Sequence, residues 1–228
     1  MNFSLEIGPK TDLDTLPALK DVYVTMLPGG DYKETSEQAA KLVKKGFNPI
    51  PHFPARSIEN EILFKSLWGV FGGRPDVSQY WDDSLESSIE IVTSSDRPQP
   101  FVSSYSTLAL SDIPIYLDND KEVRVELVAA CGSIFKTFPK AIAAAAFGII
   151  NAQWSCHRGV IFPDVLSKYG FSGEMRHLLV IPPFLWGEGF REALDLKTKT
   201  VNWLMVIPIS ENECVYSREN GSAALEAL

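Results

Sequence analysis

Cys131, Cys156, His157, His177 and Cys214 are the residues beyond position 60 that could ligate a soft metal or pair as nucleophile and base. None of them lies at the two-to-four-residue spacing of a structural zinc site, and adjacent Cys156 and His157 would point to opposite sides of a strand. They read as buried thiols and ordinary histidines. A cysteine–histidine catalytic pair needs contact and a third orienting group, and nothing in the spacing supplies one. The glycine pairs Gly29–Gly30 and Gly72–Gly73 lack the spacing of a phosphate-cradling loop and read as turns. A different chemistry is suggested by NPIPHFPARS at 48–57, where His52 stands between prolines at the end of a predicted strand, as ligand-lining groups do in α/β barrels.

Tryptophan is enriched at protein-binding surfaces. Of Trp68, Trp81, Trp154, Trp186 and Trp203, most read as core anchors, and Trp186, set among prolines and glycines in PPFLWGEGF, is the one expected to be exposed. Two acidic pairs, Glu211 with Glu213 and Asp118 with Asp120, read as helix caps or solvated loops that could also form an acidic docking edge.

The elements that must position these groups fall into two parts. In the first, FSLEIG and DVYVTML read as strands. Thr35 and Gln38 form a capping-box pattern opening a helix over 36–45, Gly46 stands at its C′ position, and a third strand spans 48–53. This is a βαβ unit, whose crossover is nearly always right-handed. After Ile58 the alternation stops. An amphipathic helix over ENEILFKSLWGVFGG is followed by strands over 87–93, 102–110, 113–117 and 122–130, a helix over 140–152, and strands over 176–184 and 201–209, each ended by proline. Val123, Val125, Leu127 and Ala129 alternate with Glu122, Arg124, Glu126 and Val128, the pattern of a sheet with one wet face. Ser210 and Glu213 form a second capping box before a helix, and SAALEAL forms a last short one. The expected class is α+β, a mostly antiparallel sheet with packed helices, preceded by a short βαβ segment, with domains at 1–60 and 61–228.

The chain is 45% hydrophobic with a net charge of −8. Eight basic and nine acidic residues lie in 1–66, thirteen and twenty beyond, so the acidity belongs to the second part. This balance repels nucleic acid and anionic membranes. Three widely spaced cysteines fit reduced thiols in the cytoplasm better than a disulfide framework. The longest apolar tract, AIAAAAFGII, falls short of the roughly 20 residues a membrane helix needs, and MNFSLEIGPK is not patterned as a secretory signal.

The stretches SLEIGPK and VYVTMLPGGDYKETSEQAAKLVKKGFNPIPHFPARSI resemble the N-terminal part of the methylenetetrahydrofolate reductase family, flavin-dependent TIM barrels. The resemblance covers residues 3–60 and implies an incomplete barrel in which Glu6 serves proton transfer to folate and His52 lies on the flavin side, with FAD as cofactor. The stretches IEIVTSSDRP, VSSYSTLALSDIPI, VRVELVAAC and NWLMVIPISENECVYSRENGSAALEAL resemble the suppressor-of-fused domain family in its bacterial form, over residues 61–228. That resemblance implies a non-enzymatic α+β module that binds a protein partner and needs no cofactor. Eukaryotic relatives sequester a transcription factor, and bacterial members are associated with toxin systems as suspected immunity proteins. The expected binding residues are Trp186, Glu211 and Glu213.

Overall fold

The computed structural model describes residues 5–7, 10–16, 21–25, 32–52, 55–117, 121–171 and 173–227. Gly29–Gly30, Asp118 and Asp120, read above as turn or docking residues, lie outside them. The chain divides into two compact units, residues 1–61 and 62–228.

In the first unit, β1 (Leu5–Ile7), β2 (Asp21–Thr25) and β3 (Asn48–His52) form a three-stranded sheet in that order, both pairings parallel. Helix α1 (Tyr32–Lys44) connects β2 to β3. Its C-terminus closes as a Schellman motif: the Phe47 amide donates to the Leu42 carbonyl at 3.1 Å and the Gly46 amide to Val43 at 3.0 Å, with Gly46 at φ +86°. Phe47 packs on the core of Leu13, Val22, Val24 and Leu42. The N-terminus differs from expectation. Helix α1 begins before Thr35, so Thr35 and Gln38 do not form its capping box, and the Gln38 amide instead donates to the Thr11 carbonyl at 2.7 Å. A long-range partner outcompetes the local one.

Helix α2 (Ala55–Phe71) starts four residues before the expected Glu59, and the division between the units falls inside it. In the second unit, β4 (Asp76–Trp81), β5 (Ser88–Ser94) and β6 (Val102–Leu108) form a meander; β7 (Ile115–Tyr116) and β8 (Glu122–Gly132) follow. Helix α3 (Phe138–Ala152) precedes β9 (Ile161–Phe162), β10 (Met175–Ile181), β11 (Leu194–Asp195) and β12 (Thr200–Ser210), and α4 (Glu211–Asn220) and α5 (Ser222–Glu226) end the chain. The nine-stranded sheet runs β4-β5-β6-β8-β12-β10-β9, with β7 on β8 and β11 on β12. Only β8–β12 is parallel among its pairings. The α+β class and its mostly antiparallel sheet are as expected.

Two clusters cover the two faces. Helix α3 lies over Ile89, Ile91, Val125, Leu127 and Ala129, and its Phe138, Ala141, Ile142, Ala145 and Ile149 are buried there. Leu63, Leu67 and Phe71, spaced at i, i+4 and i+8 on α2, pack with Val92, Val128, Val201 and Met205 on the other face. Each large side chain withdrawn from water contributes about 1.5–3 kcal/mol. The expected wet face of β8 is therefore covered from Glu126 onward, and Glu126, read as solvent-facing, is fully buried, while Glu122 is exposed as expected. Pro182 follows the end of β10, but β12 continues through Pro208 to Ser210. Pairing of β12 with β8 ends at Met205, so Pro208 has a neighbour on the β10 side only and its missing N–H breaks no ladder.

Candidate functional site

The buried carboxylate of Glu126 is satisfied locally. It accepts from the Thr107 hydroxyl at 2.6 Å and from the Ser111 and Leu110 amides at 2.9 and 3.3 Å. Burial raises its pKa, opposed by the Thr107 and Ser111 hydrogen bonds. This group pins the 107–111 corner to β8.

A groove of about 850 Å³ opens between the β4–β5 turn, α3 and the 163–169 segment. Ala143, Ala144 and Gly148 of α3 leave the space, and Tyr80, Trp81 and Trp154 border it. A Cβ at Gly148 would stand 2.3 Å from the Trp154 ring, so only glycine admits the indole against the helix. Asp82 organises the turn. Its carboxylate accepts from the Glu86 and Ser87 amides at 3.0 and 3.2 Å, from the Ser84 hydroxyl at 2.9 Å and from the Asn151 amide of α3 at 3.0 Å. Partial desolvation would raise this carboxyl, but those hydrogen bonds outweigh it and hold it below the ordinary aspartate value. Burial raises Tyr80, and burial with the nearby Asp83 charge raises Tyr169, so both present phenols. No cysteine or histidine is among the described residues lining the groove, which offers aromatic and hydrogen-bonding contacts.

A second exposed feature stands at the end of the sheet where β5 turns into β6 and β8 leaves for α3. Phe101 is 83% exposed and Ile134 81%. Phe101 has φ +65°, which for a bulky residue costs on the order of 1–3 kcal/mol. The conformation is held from both sides: the Phe101 amide donates to Asp96 Oδ1 at 2.9 Å, and its carbonyl accepts the Ser133 amide at 2.7 Å. The Ser103 and Ser133 hydroxyls meet at 2.8 Å, joining the two loops.

The sequence-predicted residues have other settings. Trp186 is not the exposed tryptophan: its ring packs on Phe71 and Phe190, each at 5.4 Å, and its indole N–H donates to Ser104 Oγ at 2.9 Å. Trp81 and Trp68 are the exposed ones. Glu213 completes the capping box of α4 with Ser210. Glu211 accepts from Nε2 of buried His177 at 2.9 Å, while Nδ1 of His177 accepts the Asp164 amide at 2.9 Å. Both ring nitrogens are thereby occupied. Trp186 lies in the segment after β10 and Glu211 and Glu213 lie in the first turn of α4, and the structure gives each an intramolecular partner. Glu6 and His52 lie on β1 and β3, flanking β2, in register with Tyr23 and Thr25 respectively. The described residues here provide three parallel strands, whereas a closed flavin-binding (β/α)₈ barrel uses eight.

The three cysteines are free and buried, as expected. Burial pushes the Cys131 thiol up to about 11 and Cys156 to about 12, the wrong direction for a nucleophile at neutral pH. The described residues contain no cluster of three or more metal-ligating side chains. Phe101 and Ile134 escaped the periodicity reading because both fall just outside strands. The signal for Phe101 was an aromatic placed directly behind the turn sequence PQP.

Comparison with known proteins bears on the same region. The family model for Suppressor of fused protein (SUFU) matches residues 86–228. The chain is 43% identical over 171 residues to immunity protein YqcF of Bacillus subtilis, covering 75% of this chain and 88% of that protein. The Sufu-Fu complex crystal structure aligns with a TM-score of 0.51 at 14% identity, over 73% of this chain and 82% of the other. Drosophila Suppressor of Fused aligns at 0.48 and 13% identity, over 68% and 42%. The family match runs from β5 to the end of the chain and takes in Phe101, Ile134 and the α3 and 163–169 sides of the groove, but not its Tyr80–Ser84 side. The chain belongs to the suppressor-of-fused protein family.

Proposed function

We propose that the chain is a non-enzymatic protein-binding module of immunity type, which neutralises a toxic protein by occupying its surface. The observation that carries this reading is the 43% identity to an immunity protein across 88% of that protein's length. The site chemistry agrees with it. The thiols are protonated, His177 is engaged on both nitrogens, and the exposed features are aromatic and aliphatic. The acidic second part suits a basic partner and disfavours nucleic acid and anionic membranes.

The described residues contain no helix long and apolar enough to cross a membrane. Free, buried cysteines support a reducing compartment, and we place the chain in the cytoplasm. It acts without a cofactor, and residues 1–60 serve as an accessory segment rather than a reductase.

Co-expression with the toxic proteins of the source organism tests the reading. Growth is restored by the wild-type chain against one of them, and the purified pair co-elutes. Failure to protect against any would overturn it. A visible flavin spectrum in the purified chain would instead favour the reductase alternative built on Glu6 and His52.

A further inference from the structure

We infer that Phe101 and Ile134 form the knob by which this chain engages its protein partner, seating in an apolar cleft there. The inference rests on the immunity-type reading above and names its contact residues. Two large apolar side chains are each more than four-fifths exposed, on loops joined by the Ser133 amide to Phe101 carbonyl bond and by the Ser103–Ser133 hydroxyl pair. An isolated exposed apolar residue is ordinary, but this pair is held in place from beneath.

The backbone supplies an independent observation. Positive φ at a phenylalanine is an outlier that glycine or asparagine would relieve, and it persists because Asp96 and Ser133 hold the amide and carbonyl. The conformation directs no burial within the chain, since the ring remains exposed. A strained and exposed aromatic on a rigid loop loses little freedom on binding, which is the property of an interface anchor.

The rim indicates the class of partner. Exposed Asp96, Arg97 and Lys136 place both signs of charge beside the knob. Mixed charge around an apolar centre matches the rim and core of a protein interface. Two apolar side chains on a chain of net charge −8 offer an anionic bilayer little. The match therefore favours protein over lipid.

The test uses the full chain and the toxic protein that it neutralises in co-expression, titrated as purified components, with phosphatidylglycerol vesicles as the alternative surface. Phe101→Gly and Ile134→Ser are expected to weaken binding about thirtyfold or more each. Phe101→Gly is expected to keep or raise the unfolding midpoint, which separates lost contact from lost fold. Tyr116→Ser, an exposed aromatic on β7, keeps wild-type affinity. Unchanged affinity in Phe101→Gly overturns the inference and leaves the immunity reading standing. Vesicle binding that depends on Phe101, with toxin binding unaffected, also overturns it. If the wild-type chain itself neutralises no toxic protein, both readings fall together.

Discussion

Nε2 of His177 lies 2.9 Å from Oε2 of Glu211, joining the buried start of β10 to the first turn of α4. Because the Asp164 amide donates to Nδ1, the proton of this tautomer sits on Nε2 and points at the carboxylate. Replacing His177 with Ala removes both bonds and leaves the Asp164 amide without its acceptor. We expect a loss of about 2–4 kcal/mol in urea unfolding. Glu211→Gln keeps an acceptor and costs less. An unchanged midpoint for His177→Ala would show that the junction contributes nothing.

Glu126 sets a pH dependence whose sign follows from its raised pKa. Burial is the first cause, and it favours the protonated form in the folded state. A carboxyl raised above its unfolded value contributes stability fully present below the unfolded value, near 4.5, and lost as pH rises through the folded value. The wild-type melting temperature should therefore fall across that window relative to Glu126→Gln, whose side chain does not titrate. Parallel curves for the two proteins would contradict the assignment.

Lys199 and Asp112 form an ion pair with both side chains largely buried. Lys199→Met removes the cation that faces the largely buried Asp112 carboxylate, and we expect a loss of about 3–5 kcal/mol by denaturant titration. Lys199→Met combined with Asp112→Leu should recover most of it. A purely additive double-mutant cycle would show that the two charges do not interact.

Two helical glycines should respond in opposite directions to the same substitution. Gly148→Ala drives a methyl into the Trp154 ring, so it should destabilise by about 1–3 kcal/mol and shift tryptophan emission as the indole moves. Gly69→Ala on α2 meets nothing within 4 Å and should stabilise by about 0.5–1 kcal/mol through helix propensity. Equal effects at both positions would mean that the Trp154 contact does not constrain α3.

Local chemistry made much of this protein legible before any tertiary contact was known. The Ser210–Glu213 box, the Gly46 closure of α1, the buried character of the cysteines and the order of strands and helices follow from hydrogen bonding and side-chain period within a few residues. The immunity-type family resemblance was likewise carried by continuous stretches, and it reached the regions that the comparisons match.

Other properties depended on what packs across a distance. Whether the second face of β8 was wet depended on α2 reaching Val128, and alternation in a strand cannot tell water from a helix laid over it. Trp186 looked exposed because its flanking prolines and glycines mark a loop, yet Phe71 and Ser104 from two distant segments close around it together with neighbouring Phe190. Gln38 left its local cap for Thr11, 27 residues away. Phe101 and Ile134, separated by 33 positions, became one feature only when β6 and β8 paired and the Ser133 amide met the Phe101 carbonyl. Sequence determined which segments could be strand or helix. Tertiary structure decided which of their faces water could still reach, because burial is a property of the neighbour as much as of the residue.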